Sequence, residues 1–200
     1  MRARGRTGAR TLSIGAVTRP RPAWLRDLER VDVAVYAAIA ATPTPSLDRG
    51  MRRLARAADY SRLSLGAAAV LACARGRRGR RAARLGLASI AVTATAVNLL
   101  VKPVARRRRP GRDALSVPVA RHVPMPRSRS LPSGHAAAAF AFATGVGREL
   151  PGEAVALRVL AALVAYSRVH TGVHYPGDAL AGALLGTALA QATTHALEAH

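Results

Sequence analysis

The sequence predicts an all-α protein, a bundle of about six helices of transmembrane type. Half of its 200 residues are hydrophobic, which excludes a chain that is disordered throughout. The apolar residues fall in uncharged runs with charged ends, at 63–74, 85–101, 130–147 and 179–197. A helix needs about 20 apolar residues to cross a bilayer, so runs of this length also fit a soluble helical core. We expect a membrane bundle, because small residues fill the runs and permit close helix packing.

Residues 1–30 are predicted to form a basic, flexible N-terminal tail, followed by a helical domain over 31–200. The tail is rich in arginine and interrupted by glycine and proline. No apolar segment of signal-peptide length follows its first charges, so no cleaved signal is expected. The first helix is predicted from Leu25 to Ala41, because the Thr-Pro-Thr-Pro sequence at 42–45 favours a turn.

The segment after this turn is predicted to be an amphipathic helix at the membrane interface. Its apolar residues recur at a spacing of three to five: Leu47, Met51, Leu54, Ala58 and Leu63. Arginines at 49, 52, 53 and 56 mostly fill the positions between them, as in an interfacial helix. The remaining helices are expected at 63–74, 85–101, 133–148, about 152–168, and 179–197.

Six arginines between positions 75 and 84 form a basic segment between two apolar runs. Short arginine-rich loops of membrane proteins lie on the cytoplasmic side. Counting helices from this segment brings the loops 102–132 and 169–177 together on the outer face. The arginines at 49–56 would also lie outside on this count, which weakens the orientation.

The charge of the protein indicates attraction to anions. The sequence contains 31 basic and 10 acidic residues, which gives a net charge of +21. Lys102 is the only lysine among the basic residues. Such a charge attracts nucleic acids, anionic lipids and phosphorylated molecules. Aromatic residues make up only 4% and no nucleic-acid motif is present, so no nucleic-acid partner is expected. The single Cys73 excludes an internal disulfide and a cysteine metal cluster, and no metal or cofactor is expected.

Three segments concentrate polar residues at the ends of the predicted helices. They read Lys102 to Arg109-Pro110, Pro132-Ser133-Gly134-His135, and Ser167-Arg168 to His174 and Asp178. Ser133 is a favoured N-cap, and Gly134 lets an anion approach the backbone at a helix N-terminus. Such a terminus attracts anions through its N–H groups and its dipole. The same residues also fit a simple helix cap, and both interpretations stay open at this point.

The last segment contains a histidine and an aspartate four residues apart. A carboxylate such as Asp178 that accepts a hydrogen bond from one ring N–H of His174 fixes the tautomer and leaves the other nitrogen free to attack. A local surface contact is the alternative. His170 and His174 also form an H-x-x-x-H pair, but Gly172 and Pro176 argue against the regular helix that such a metal site needs.

Together the three segments supply what phosphoryl transfer without a metal requires. Lys102, Arg109 and Arg168 would neutralise the oxygens of the transferring phosphoryl group, where charge stabilisation dominates catalysis. One histidine would attack phosphorus, and the other would donate a proton to the leaving oxygen.

The pattern K-x6-R-P, P-S-G-H and S-R-x5-H-x3-D resembles the type-2 phosphatidic acid phosphatase superfamily, also called the acid phosphatase/vanadium haloperoxidase superfamily. Every defining position matches, and the resemblance covers 102–178 in motif and about 60–197 in helix layout. It implies that His174 forms a phosphohistidine, that Asp178 orients it and that His135 is the general acid. It also implies a set of phosphate-binding residues: Lys102, Arg109, Ser133, Gly134 and Arg168.

The resemblance further implies a bacterial enzyme of the cell membrane, with six helices and an outward-facing site. The expected activity is metal-independent hydrolysis of a lipid phosphate or diphosphate, such as phosphatidic acid, phosphatidylglycerol phosphate or a polyprenyl phosphate. The partners are then the lipid substrate and the bilayer. Alternatives are a vanadium-dependent haloperoxidase, a phosphotransferase and a non-catalytic membrane scaffold. Arginines 106, 107 and 108 are interpreted mainly as solvated side chains or lipid-headgroup contacts.

Overall fold

The structure, a computed structural model, describes residues 22–199, and every regular element in that part is helical. The helices are α1 (Ala23–Ala41), α2 (Pro45–Ala57), α3 (Arg62–Ala74), α4 (Gly76–Ala96), α5 (Lys102–Ala105), α6 (Gly134–Gly147), α7 (Pro151–His170) and α8 (Pro176–Glu198). A π-helical stretch, Val97–Val101, joins α4 to the single turn of α5. Short 3-10 turns lie at Asp59–Ser61 and Val119–Arg121. The predicted all-α class is confirmed.

Helix α6 is the centre of the bundle and packs against α4, α7 and α8, while α3 packs against α4. The helices approach closely because small residues lie where they cross. A Cβ atom at Gly186 of α8 would lie 2.1 Å from the carbonyl oxygen of Ala137, and one at Gly145 would lie 2.8 Å from the Cα of Gly86. Glycine is therefore the residue that allows these two backbone contacts.

The two ends of the bundle differ in composition. At one end, Arg75 pairs with Glu153 at 2.9 Å and Arg81 pairs with Glu149 at 3.0 Å, joining the α3–α4 connection to the α6–α7 connection. At the other end, the loop 106–133 meets the loop 171–175 between α7 and α8. These two loops build the candidate site described below.

The arginines at 75–84 do not form the loop that the sequence suggested. Only Arg75 lies between α3 and α4, and the other five belong to the first turns of α4, which begins nine residues earlier than predicted. Arginine is a good helix former. Small residues at Gly79, Ala82 and Ala83 are buried against the neighbouring helices while the arginines face outward.

The N-terminal region agrees with one prediction and departs from others. Helix α1, Ala23–Ala41, confirms the helix predicted from Leu25 to Ala41. Residues 23–30, which were assigned to the basic tail, are therefore helical, and residues 1–21 of that tail lie outside the described part. The amphipathic helix ends at Ala57 and does not continue to Leu63, because Tyr60 and Ser61 both take a left-handed conformation with φ of 56°. The predicted amphipathic helix therefore corresponds only to α2, which packs on α7.

Part of the outer surface of the bundle is apolar. One continuous helical stretch, Gly76–Ala105, is long and apolar enough to cross a membrane. Large apolar side chains are also exposed along α7 and α8, namely Val155, Val159, Leu163, Leu180 and Leu184. Exposed apolar surface of this extent is typical of a membrane-contacting or protein-contacting face.

Candidate active site

His174 lies in the loop between α7 and α8, and its side chain is buried. Its Nδ1 atom is 3.5 Å from Oδ2 of Asp178, and its Nε2 atom is 3.1 Å from the Nη1 donor of Arg109. Because arginine only donates, Nε2 carries the lone pair and Nδ1 carries the proton. Burial lowers the pKa of His174 to about 4, so the ring is neutral at pH 7.

Asp178 lies in the first turn of α8, and four neighbouring residues fix its carboxylate. Its Oδ2 accepts hydrogen bonds from the hydroxyl of Ser130 at 2.5 Å and from the backbone N–H of Tyr175 at 2.9 Å, besides facing His174. Its Oδ1 accepts from Nη1 of Arg107 at 2.9 Å. The carboxylate has no freedom to leave His174, because each of its oxygens is held by a separate element.

Arg109 is held by the two loops that meet at the site. Its Nη1 atom donates to the carbonyl of Val173 at 2.8 Å, and its Nε donates to the carbonyl of Ser128 at 2.9 Å. Lys102 reaches the same place from α5, where its ammonium contacts the Ser128 hydroxyl at 3.5 Å. The Lys102 ammonium also lies 3.5 Å from the position that a Cβ of Gly134 would occupy. Two cations thus meet at Ser128, and one of them, Lys102, also lies beside the start of α6.

Ser133 is the N-cap of α6, and its hydroxyl accepts a hydrogen bond from the backbone N–H of Ala136. Its own N–H donates to the carbonyl of Asp178 at 2.9 Å, which joins the start of α6 to the start of α8. The cap uses one of the four N–H groups that a helix start leaves without intrahelical partners. Capping and anion binding are therefore compatible at this helix end.

His135 and Arg168 share a partner that the sequence did not reveal. The Nε2 atom of His135 lies 2.9 Å from Oδ1 of Asp59, and Nη1 of Arg168 lies 3.7 Å from the same oxygen. Arg168 is buried and donates to the carbonyl of Ala55 at 3.2 Å. Within residues 22–199 its Nε atom has no hydrogen-bond partner. An unsatisfied buried guanidinium donor is suited to an anion.

The sequence predicted that arginines 106–108 are solvated or contact lipid headgroups, and for Arg107 this prediction is wrong. Its guanidinium bridges Asp178 and Asp32, at 2.9 and 2.5 Å. The chain leaves α5 through Arg106, which has a φ of 44°, and after this turn Arg107 faces the bundle while Arg106 and Arg108 stay exposed. Four arginines in a row do not indicate which of them is buried.

Ser130, Asp32 and Asp59 are the other site residues that sequence reasoning missed. They lie outside the three polar segments, and single serine or aspartate residues carry no pattern of their own.

His170, the first histidine of the H-x-x-x-H pair, turns away from His174. Its Nε2 atom lies 2.9 Å from Oδ1 of Asp48.

The fold and the site define a helical protein in which a buried histidine–aspartate pair lies within a cluster of cations. Residues 82–200 match the model of the PAP2 superfamily. The chain belongs to this superfamily, which confirms the resemblance seen in its three motifs.

Curated relatives carry the name decaprenylphosphoryl-5-phosphoribose phosphatase. The Mycobacterium tuberculosis protein is 38% identical over 100 residues, which cover 48% of this chain and 51% of that protein. The chain thus spans about half the length of this relative. The Mycolicibacterium smegmatis protein is 34% identical over 159 residues, which cover 78% of this chain and 82% of that protein.

Two solved structures share the fold. Aquifex aeolicus LpxE superposes with a TM-score of 0.68 and 23% identity, covering 82% of this chain and 95% of its own. The first transmembrane PAP2-type phosphatidylglycerolphosphate phosphatase from Bacillus subtilis gives a TM-score of 0.63 and 24% identity, covering 86% of this chain and 87% of its own. Both likenesses extend over most of the bundle.

Proposed function

We propose that the protein is a membrane lipid phosphatase that removes a phosphate from a polyprenyl-linked substrate through a phosphohistidine on His174. The observation that carries the proposal is the state of this ring. It is neutral, its Nδ1 faces Asp178, and its Nε2 faces a cationic cluster that would attract a phosphate dianion. The resemblance of the motifs supports the same assignment.

In the first step, Nε2 of His174 attacks phosphorus and the bond from phosphorus to the leaving oxygen breaks. Arg109, Lys102 and Arg168 stabilise the charge on the phosphoryl oxygens, as electrostatic catalysis requires. The unpaired Nε of Arg168 is a donor for one of them. Protonated His135, whose ring faces the Asp59 carboxylate, donates its proton to the leaving oxygen and becomes neutral. Asp178 stabilises the positive charge that develops on His174.

In the second step, water attacks the phosphohistidine and His135 takes up the proton that the water loses. The bond between nitrogen and phosphorus breaks, inorganic phosphate leaves, and His174 returns to its neutral form. No metal takes part in either step.

A cavity beside the site supports a lipid substrate. It has a volume of about 240 Å³, begins at Lys102 and His135, and continues between α3, α4, α6 and α7. Below its polar end it is lined mainly by apolar side chains, among them Leu63, Val97, Ala138, Leu157 and Val164. A hydrocarbon chain in this cavity would leave its phosphate at the cations. The name of the mycobacterial relatives, decaprenylphosphoryl-5-phosphoribose phosphatase, favours a polyprenyl-linked phosphosugar over a glycerophospholipid.

Phosphate release in detergent with EDTA tests the proposal. We expect turnover of polyprenyl-linked phosphates, complete loss in His174→Ala, and full activity in His195→Ala, whose exposed side chain lies near the C-terminal end of α8. Vanadate should inhibit far better than sulfate, because it mimics five-coordinate phosphorus. Activity that persists in His174→Ala above an inactive blank would remove the assigned nucleophile.

Filling the cavity tests the lipid part of the proposal separately. Ala138→Leu should lower kcat/KM for a polyprenyl phosphate much more than for a small soluble phosphate ester, because only the lipid needs the cavity. Equal losses for both substrates would contradict the position of the lipid chain. Ala91→Leu, on the exposed face of α4, is the matched control.

We also propose that the bundle crosses the membrane several times with the site on the outer face. The arginine-rich end then lies in the cytoplasm, as short basic segments do. Cys73, the only cysteine, is exposed close to that end. A membrane-impermeant maleimide should leave it unlabelled in intact bacteria and label a Cys73→Ser/Val119→Cys variant. The opposite labelling would invert the orientation.

A further inference from the structure

We propose that Arg107 is a positioning residue for catalysis, one that holds Asp178 against His174 and does not bind the substrate phosphate. The inference rests on the proposed phosphatase function. It concerns an arginine outside the defining positions of the three motifs.

Among residues 22–199, the guanidinium of Arg107 contacts two carboxylates and one aromatic ring. Its Nη1 donates to Oδ1 of Asp178 at 2.9 Å and its Nη2 donates to Oδ2 of Asp32 at 2.5 Å. Its guanidinium carbon lies 4.3 Å from the centre of the Tyr175 ring, a cation–π contact. Both terminal nitrogens are therefore engaged by carboxylates, which leaves Arg109, Lys102 and Arg168 as the cations proposed to face the phosphate.

Asp32, a residue of α1, holds both the Arg107 guanidinium and the first turn of α8 in place. Its Oδ1 accepts a hydrogen bond from the backbone N–H of Gly177 at 2.6 Å, in the first turn of α8. A Cβ atom at Gly177 would lie 2.9 Å from Oδ2 of the same carboxylate, so the Asp32 side chain is packed closely against the Gly177 backbone. Arg107 and Asp32 thus join α1, the loop after α5 and the start of α8.

Removing Arg107 would change the histidine–aspartate pair in two ways. Oδ1 of Asp178 is fully buried and would lose its charged donor, which permits the carboxylate to rotate. The field at His174 would also change. The charged groups that face this ring are Asp178 from α8, Arg109 from the loop and Arg168 from α7, and Arg107 acts on it through Asp178. Without this cation the carboxylate would attract the imidazole proton more strongly.

The test is a comparison of Arg107→Gln with Arg106→Gln and Arg108→Gln, which remove neighbouring exposed arginines. We expect kcat of Arg107→Gln to fall at least 30-fold with KM changed less than threefold. The acidic limb of its kcat/KM profile should move to higher pH. Both control variants should keep the kcat and the pH profile of the wild type.

Two further variants separate positioning from folding and from phosphate binding. Arg107→Lys keeps the charge but not the two-pronged geometry, and should recover part of kcat and the wild-type acidic limb. Arg109→Gln, in contrast, should raise KM and weaken inhibition by inorganic phosphate. The thermal unfolding midpoint of each variant in detergent reports whether it is folded.

The inference is overturned if folded Arg107→Gln keeps the wild-type kcat and pH profile, or if its main defect is a raised KM. A wild-type protein without activity on any lipid phosphate would instead overturn the proposed function. The two failures are therefore distinguishable.

Discussion

Nε2 of His135 and Oδ1 of Asp59 are 2.9 Å apart, so a carboxylate lies against the residue assigned as general acid. The same oxygen is 3.7 Å from Nη1 of Arg168. Asp59 precedes two residues in the left-handed conformation, Tyr60 and Ser61, and its side chain is partly exposed. A negative charge from the chain itself thus offsets part of the positive charge that would hold the substrate.

Neutralising this carboxylate should strengthen anion binding. We expect Asp59→Asn to lower the inhibition constant of inorganic phosphate severalfold, because Arg168 loses a competing negative charge. Competitive inhibition of phosphate release measures this constant. Asp27→Asn, which removes an exposed carboxylate paired with Arg30, is the control. An unchanged or weaker inhibition in Asp59→Asn would mean that Asp59 does not compete with the phosphate.

The pH profile should report His174. Its pKa is lowered to about 4, chiefly by burial and also by the charges of Arg109 and Arg168. Below this pH the ring is protonated and its lone pair is lost, so kcat/KM should fall about tenfold per pH unit on the acidic side. Activity on this limb should therefore persist well below the ordinary histidine pKa of about 6.5. An acidic limb near that ordinary value would show that the nucleophile is not buried as described.

The close contact at Gly186 predicts a loss of stability on substitution. Gly186→Ala would place a Cβ atom 2.1 Å from the carbonyl oxygen of Ala137. Overpacking of this kind costs about 1–3 kcal/mol of unfolding free energy. Gly66→Ala in α3 meets nothing within 4 Å and should be neutral or stabilising. Unfolding in detergent measures both, and equal stability of the two variants would contradict the packing.

Arg121 should be among the most sensitive residues of the fold. It is fully buried, donates to Oδ1 of Asp48 at 2.8 Å, and donates to the carbonyls of Ile39 and Thr42 at 2.9 and 2.6 Å. Arg121→Gln would leave Asp48 without its charged partner, at a cost of about 3–5 kcal/mol. Arg127 is exposed in the same loop, so Arg127→Gln should change the unfolding free energy little. A similar unfolding free energy for the two variants would argue against this account.

The sequence was informative where the chemistry has a fixed spacing. The motif residues were identified because three ordered blocks match one family, and the structure brings His174, Asp178 and Arg109 within contact distance. Helices α3, α6 and α8 were predicted to within a few residues because each contains an uncharged apolar run. The predicted roles of the site residues remain proposals.

The sequence was uninformative where a contact joins distant elements. Asp59 and His135 are 76 positions apart, Arg107 and Asp178 are 71 apart, and no local pattern pairs them. The start of α4 was placed too late because charged residues were taken to end a helix. In the bundle they lie on its outer face, where arginine is well accommodated.

Besides Asp178, three acidic side chains that pair with cations at or near the site come from upstream of the family-matched region 82–200. Asp32 pairs with Arg107, Asp48 with Arg121, and Asp59 with His135 and Arg168. A chimera that transplanted only the matched region onto another N-terminal half would inherit these cations without their counter-ions. The first third of the chain is thus an electrostatic complement to the motifs, and the two parts have to be exchanged together.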